Sequence, residues 1–214
     1  MRNAFQEELD SIHQTLVNMG KIVEESMSAA TRALLEPNLE LAERVIKEDD
    51  TIDDMQHELD TRTMMIIARQ SPVAGDLRTL VTSLRMSADL ERMGDMAHHI
   101  AKLARMRYPN CAVPEELREI IRNMDRVAIG IIQKTVKSID TRNATMAIQL
   151  EVDDDEMDKL HRQLFKTLMD SNWEHGTELA IDMTLLGRYY ERFADHAVSV
   201  GRRVYYIING EYNS

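Results

Sequence analysis

Apolar residues recur at three- and four-residue spacing along most of the chain. The first series consists of Leu9, Ile12, Leu16, Met19, Ile22, Val23 and Met27. Because a helix turns once in 3.6 residues, such a series places its apolar side chains in one buried stripe. Pro37 and Asn38 interrupt the pattern. The sequence therefore predicts a first helix over residues 3–35.

Prolines and polar turn residues divide the rest of the chain into further helices. Asn38 is predicted to cap the second helix, since its side chain can accept a hydrogen bond from a free backbone N–H in the first turn. This helix is expected to end near Gln70, because Pro72 follows it. The remaining apolar series predict helices over 75–108, 114–139, 142–171 and 175–208.

The composition agrees with an all-α fold. The chain of 214 residues has only 4 Pro and 8 Gly, and aromatic residues make up 5% of it. Methionine, leucine, isoleucine and alanine supply most of the apolar positions, and these residues favour helices over strands. We expect six long helices.

An internal repeat divides these helices into two sets of three. A shift of 105 positions brings Asn38, Asp49 and Asp53 onto Asn143, Asp154 and Asp158. A shift of 100 positions brings the segment 91–95 onto 191–195. The two shifts differ, so about five extra residues are expected between the second and third helices of the first half. The repeat predicts two pseudo-symmetric three-helix bundles, formed by residues 1–109 and 114–214.

The repeated segments share an acidic residue followed four positions later by aspartate. On a helix these two carboxylates lie one turn apart on the same face. If two such pairs face each other in a bundle, their repulsion favours a bound cation, and oxygen ligands suit magnesium, calcium, manganese or iron. A solvated acidic face is the alternative. The candidate metal ligands are Asp49, Asp53, Glu91, Asp95, Asp154, Asp158, Glu191 and Asp195.

Basic and imidazole side chains lie close to these acids in the sequence. Arg92 and Arg192 follow the two glutamates, and either could be a counter-charge for a carboxylate or bind an anion. Four histidines near the acids are weaker candidates for metal ligation, and an acid three residues before a histidine is also found in di-iron sites. These histidines are His98, His99, His161 and His196.

The charge of the chain limits its partners. A formal net charge of −11 and a pI near 5.1 argue against nucleic acid, because binding of phosphate backbones depends on clustered Lys and Arg. The single Cys111 excludes an internal disulfide and a cysteine-based zinc site. No apolar stretch approaches the length of a membrane span, and residues 1–8 do not resemble a signal peptide. We expect a cytoplasmic protein that contacts a membrane only through partners.

Three segments resemble those of a known family. They are DLERMGDMA at 89–97, YERFADHA at 190–197 and SPVAGDLR at 71–78. Together with the duplication and the six predicted helices, they are similar to the PhoU family of phosphate-signalling regulators over essentially the whole chain. In one departure from the family pattern, Met96 follows Asp95, whereas His196 follows Asp195. The two metal sites would then differ.

The resemblance implies both a site and a function. The eight acids would hold iron, zinc or other metals in multinuclear clusters. The protein would restrain phosphate uptake and the phosphate-starvation response, linking the cytoplasmic ATPase subunit of a phosphate ABC transporter to a sensor histidine kinase. A homodimer is expected in this family. None of these roles is enzymatic.

Two other functions are compatible with the residues. A ferritin-like di-iron oxidase would need a four-helix bundle with Glu-x-x-His on two helices, whereas this chain has aspartate before its histidines and a three-helix repeat. A metal-free helical adaptor would use the acidic faces to bind a basic partner directly. No phosphate-binding loop, nucleophile elbow or His-Glu-x-x-His motif is present in the sequence.

Overall fold

Six helices account for nearly all of the computed structural model, which describes residues 2–212. No strand occurs in this range. The all-α prediction is confirmed, and the predicted helix boundaries agree to within one to three residues. The helices are α1 Arg2–Leu35, α2 Leu39–Gln70, α3 Ala74–Arg107, α4 Glu115–Asp140, α5 Ala144–Leu168 and α6 Gly176–Asn209.

The start of the second helix in each half is fixed by the same cap. The Asn38 side chain accepts a hydrogen bond from the backbone N–H of Leu41 at 2.9 Å. Asn143 does the same for the N–H of Met146, also at 2.9 Å. Each cap satisfies one of the free N–H groups at the start of a helix. The predicted correspondence between Asn38 and Asn143 is confirmed.

The prediction for the end of the fifth helix was wrong by three residues. α5 ends at Leu168 rather than at 171, because Asp170 turns the chain. Its carboxylate accepts hydrogen bonds from both the backbone N–H and the side-chain amide of Asn172, at 2.8 and 2.9 Å. Aspartate stabilises turns in this way. The extra residues of the first half therefore lie mainly in α2, which has 32 residues where α5 has 25.

The six helices form the two predicted bundles. Helices α1, α2 and α3 pack against one another, and so do α4, α5 and α6. The bundles meet where α1 packs on α4 and α3 on α6. Within residues 2–212, α2 and α5 contact only helices of their own bundle. A two-fold axis that exchanges α1 with α4 and α3 with α6 accounts for this pattern. The boundaries 1–109 and 114–214 stay a prediction.

Ion pairs at both ends of the α3–α6 contact join the bundles. The Arg107 guanidinium binds the buried carboxylate of Asp182, with Nε donating at 2.7 Å. Toward the other end, Arg203 binds the buried Asp89. Each pair places an arginine near the C-terminus of one helix beside an aspartate of the other helix. The pairs show that α3 and α6 run antiparallel.

No helix in the described part of the chain is both long and apolar enough to cross a membrane.

Candidate metal centres

The first group of predicted ligands lies where α2 faces α3. Asp49 and Asp53 lie on α2, and Glu91 and Asp95 lie on α3. Gly94 allows the two helices to approach, since a Cβ built on it would be 2.7 Å from Ile52 Cδ1 and 3.5 Å from Asp49 Oδ1. We call Asp49, Asp53, Glu91 and Asp95 the first acidic cluster.

Burial and mutual repulsion act on the carboxylates of the first acidic cluster. Burial raises the pKa of Glu91, and the neighbouring charge of Asp95 raises it further, while Arg92 opposes both effects. Burial also raises the pKa of Asp49, against an attractive interaction with His98. Each of these two carboxylates, Glu91 and Asp49, is therefore subject both to a neighbouring positive charge and to neighbouring negative charges. The structure confirms that these acids face one another.

A second group lies where α5 faces α6. Asp154 and Asp158 lie on α5, and Glu191 and Asp195 lie on α6. Burial raises the pKa of Asp154 from its ordinary 3.8 to about 6, and repulsion by Asp195, Asp158 and Glu191 adds to the effect. Burial and Asp195 likewise raise the pKa of Glu191. We call these four residues the second acidic cluster, and its negative charge is the less well compensated of the two.

Protein cations neutralise part of each cluster. Arg92 binds Asp95 at 2.7 Å and lies 3.5 Å from Glu91, so it is a counter-charge in this structure. The Asp49 carboxylate pairs with His98 Nδ1 across the α2–α3 contact. In the second acidic cluster Arg188 pairs with Glu191. Arg192 forms no ion pair with any described residue.

Five of the eight acids, Asp49, Glu91, Asp95, Asp158 and Glu191, pair with cations of the protein. Across residues 2–212, no three His, Cys, Asp or Glu side chains converge closely enough to hold a metal ion. Ligation by the eight acids therefore stays a prediction. It would require rotation of side chains that are half-buried or exposed, and it leaves the helices in place.

Unpartnered atoms show what the clusters could bind. Asp154 Oδ1 and Glu191 Oε2 are buried and lack any hydrogen-bond partner, and so does His98 Nε2 beside the first acidic cluster. An unpaired buried acceptor is costly, and a cation compensates it. Oxygen-rich donors with neighbouring imidazoles fit magnesium, manganese, iron or zinc. The residues present thus fit a metal.

The histidines divide into two groups. His98 lies beside the first acidic cluster, where it pairs with Asp49. His161 packs beside Gly187 near the second acidic cluster, and its Nε2 is buried and unpartnered. His196 turns toward the other bundle, where its Nδ1 is 3.1 Å from Asp89 Oδ1. His99 stacks on Tyr189 of α6, with ring centres 5.1 Å apart.

The orientation of His196 explains what the presence of Met96 after Asp95, in place of a histidine, means for the structure. Met96 is buried, and the repeat places it at the position of His196, which faces the contact between α3 and α6. The difference between the two residues therefore belongs to the bundle interface. It gives no reason to expect different ligands in the two acidic clusters.

Two partners of the acids were absent from the sequence prediction. Arg188 lies three residues before Glu191, and Arg162 lies four residues after Asp158 at 3.6 Å from its carboxylate. Side chains at these spacings are neighbours on a helix surface. The spacing alone could therefore have identified both arginines as counter-charges.

Comparison with known proteins gives consistent matches over the whole chain. A family model described as the PhoU domain matches residues 16–104 and again residues 121–204. The phosphate-specific transport system accessory protein PhoU homolog 2 of Mycobacterium tuberculosis is 42% identical over 99% of this chain and 100% of its own. PhoU homolog 1 of Mycobacterium leprae is also 42% identical, over 99% of this chain and 96% of its own.

A solved structure agrees in fold. The crystal structure of the phosphate transport system regulatory protein PhoU from Streptococcus pneumoniae superposes with a TM-score of 0.87. It shares 24% sequence identity and covers 98% of this chain and 99% of its own. At this identity the likeness concerns the arrangement of the helices.

Proposed function

Since the chain belongs to the PhoU family, we propose that it is an accessory protein of a phosphate-specific transport system and a negative regulator of phosphate uptake and of the phosphate-starvation response. Identity of 42% over the full length of accessory proteins supports this proposal most directly. The reported relatives are named as accessory or regulatory proteins rather than as enzymes. We propose no catalytic step for this chain.

The protein would act through contacts with two partners. One is the cytoplasmic ATPase subunit of a phosphate ABC transporter, and the other is a sensor histidine kinase. The outer helices α2 and α5 support this proposal, because each uses one face for its own bundle and leaves the rest of its surface free. A net charge of −11 suits basic protein surfaces. Such a protein would be cytoplasmic, and a homodimer would present both outer helices twice.

The two acidic clusters would bind metal ions. The unpartnered oxygens of Asp154 and Glu191 support this, together with the raised pKa of Asp154. A bound iron, zinc, manganese or magnesium ion would supply the positive charge that these carboxylates lack. The residues of α2 and α5 would then be fastened to those of α3 and α6, which would make the outer helices rigid docking surfaces.

A metal-free adaptor is the second candidate, and a specific observation favours it. Arg92 and Arg188 already bind acids of the two clusters, and His98 pairs with Asp49. If these cations are sufficient, the acidic faces would be free to bind a basic partner. The two candidates differ in whether regulation requires the cluster carboxylates to hold a metal.

A complementation experiment tests the regulatory role. The chain is expressed in a bacterial strain that lacks its own PhoU protein, and a reporter gene under a phosphate-starvation promoter is measured in phosphate-rich medium. We expect the wild-type chain to repress the reporter. Repression should be lost on substitution of Glu191→Gln with Asp195→Asn, because both residues belong to the second acidic cluster.

A second acid pair provides the matched control. Glu36→Gln with Glu40→Gln removes the same charge at the same spacing from exposed positions outside the clusters. This variant should repress like the wild type. A wild-type chain that is abundant and folded yet leaves the reporter active would contradict the proposed function.

A further inference from the structure

A cavity lies at one end of the contact between the bundles, and no residue of the acidic clusters lines it. It lies among the first turns of α1 and α3 and the last turns of α4 and α6, and its volume is about 160 Å³. An apolar cavity of about 150 Å³ is large enough to bind benzene. The cavity could therefore hold one small organic molecule in contact with both bundles.

At the opposite end of the same contact, the segment between the bundles packs against the end of α1. The segment between the bundles inserts Ala112 and Val113 there, with exposed fractions of 2% and 1%. The Cys111 sulfur lies 3.5 Å from the carbonyl oxygen of Leu35. The pseudo-two-fold axis relates the two ends, because it exchanges α1 with α4 and α3 with α6.

Two opposite charges line the cavity without neutralising each other. Asp76 lies in the first turn of α3, and Arg142 lies in the turn after α4. In the described part of the chain, neither side chain forms an ion pair or a hydrogen bond. Arg142 also has a left-handed backbone with φ of 48°, which is uncommon for a residue other than glycine. This conformation belongs to the end of α4, where the backbone N–H of Asn143 donates to the Ser138 carbonyl oxygen at 3.1 Å.

Apolar and polar side chains both line the cavity. Its buried apolar side chains include Leu9, Leu16, Met86 and Ile139. Burial lowers the pKa of His13, and the nearby Arg142 lowers it further. The lowered pKa favours the neutral imidazole, which adds a hydrogen-bonding group without a second positive charge. One end of the cavity suits a hydrocarbon group and its rim suits a charged one.

We propose that the cavity binds a zwitterion with an apolar body, of the chemical class of the aliphatic α-amino acids. The ligand carboxylate would bind Arg142, its ammonium would bind Asp76, and its side chain would pack on Leu9, Leu16 and Met86. Inorganic phosphate fits less well, since it would leave Asp76 without a cation and the apolar side chains without a partner. A ligand that contacts both bundles would bind only to their present arrangement and would stabilise it.

Calorimetric titration of the full chain with matched probes tests this site. L-Leucine has both charges, 4-methylpentanoate lacks the ammonium, leucinamide lacks the carboxylate, and inorganic phosphate lacks the apolar body. We expect L-leucine to bind most tightly. The dissociation constant of each of the other probes should be at least about tenfold higher, because each lacks at least one charge-assisted hydrogen bond or the apolar contact.

Substitutions identify the charges that bind each end of the ligand. Arg142→Gln should abolish the preference for L-leucine over leucinamide, and Asp76→Asn should abolish its preference over 4-methylpentanoate. Arg126→Gln changes an exposed arginine of α4 outside the cavity and should leave both preferences unchanged. Far-ultraviolet circular dichroism of each variant verifies that the helices are intact.

Three results would overturn the proposal. Equal binding of 4-methylpentanoate and L-leucine would identify an anion site, and a preference for phosphate would identify a phosphate site. No heat from any probe, with all variants folded, would show that the cavity binds none of these molecules. None of these outcomes bears on repression of the reporter gene, so the cavity and the regulatory function are tested separately.

Discussion

The Tyr190 hydroxyl lies 2.6 Å from Thr31 Oγ1, and this buried hydrogen bond joins α6 of one bundle to α1 of the other. Asp125 of α4 lies beside it, with Oδ1 buried and unpartnered. The repeat relates these three residues to Leu90, Val136 and Gly20, which also meet one another: a Cβ built on Gly20 would be 2.6 Å from Val136 and 3.9 Å from Leu90. One copy of the contact is polar and the other apolar.

This difference predicts the effect of removing the hydrogen bond. Tyr190→Phe should lower the free energy of unfolding by about 1 kcal/mol, because one buried hydrogen bond to Thr31 Oγ1 is lost while the bond from Thr31 to the Met27 carbonyl oxygen remains. The double variant Tyr190→Phe with Thr31→Val should lose less free energy of unfolding than the sum of the two single variants. The corresponding contact of Leu90, Val136 and Gly20 already packs without polar side-chain atoms. Urea denaturation measures both quantities. Additive losses would contradict the assigned coupling.

The raised pKa of Asp154 predicts how stability depends on pH in metal-free protein. Because the folded state binds the proton more tightly than the unfolded state, stability from protonated Asp154 is fully present below pH 3.8 and is lost as the pH rises through about 6. Asp154→Asn should therefore stabilise chelator-treated protein at pH 7. The difference from wild type should shrink as the pH falls from 6 toward 4.

Asp155 provides the control for this prediction. It is the exposed neighbour of Asp154 on α5, so Asp155→Asn removes one charge outside the buried part of the second acidic cluster. The thermal midpoint of this variant should differ little from wild type at every pH. An equal effect of both substitutions would show that net charge, rather than burial of Asp154, controls the stability.

Gly94 predicts a steric limit on the approach of α2 to α3. A methyl group at this position would meet Ile52 Cδ1 at 2.7 Å, so Gly94→Ala should destabilise the fold by about 1 to 3 kcal/mol. Gly130→Ala is the matched control, because nothing lies within 4 Å of its Cβ position. In a helix interior this change should stabilise by about 0.5 to 1 kcal/mol. Chemical denaturation of both variants measures the contrast.

Local rules were enough to predict the helices and the composition of the clusters. The caps at Asn38 and Asn143 and the apolar series depend on neighbours along the chain, and the repeat then showed that the acids of α2 and α3 belong together. The partners of His196 and Asp89 depend on the contact between bundles, which joins residues 107 positions apart. The cavity arises from the same contact. Periodicity carries no information about which face of one bundle meets the other.

The metal content of the purified protein tests the proposed clusters most directly. Tag-free protein is prepared without chelator, incubated with iron, manganese, zinc or magnesium, desalted and analysed for metal beside the variant with Glu91→Gln, Asp95→Asn, Glu191→Gln and Asp195→Asn. Our account predicts stoichiometric metal in the wild type and its loss from the folded variant. Equal metal content in the two proteins, or no metal in either, would contradict ligation by the acidic clusters.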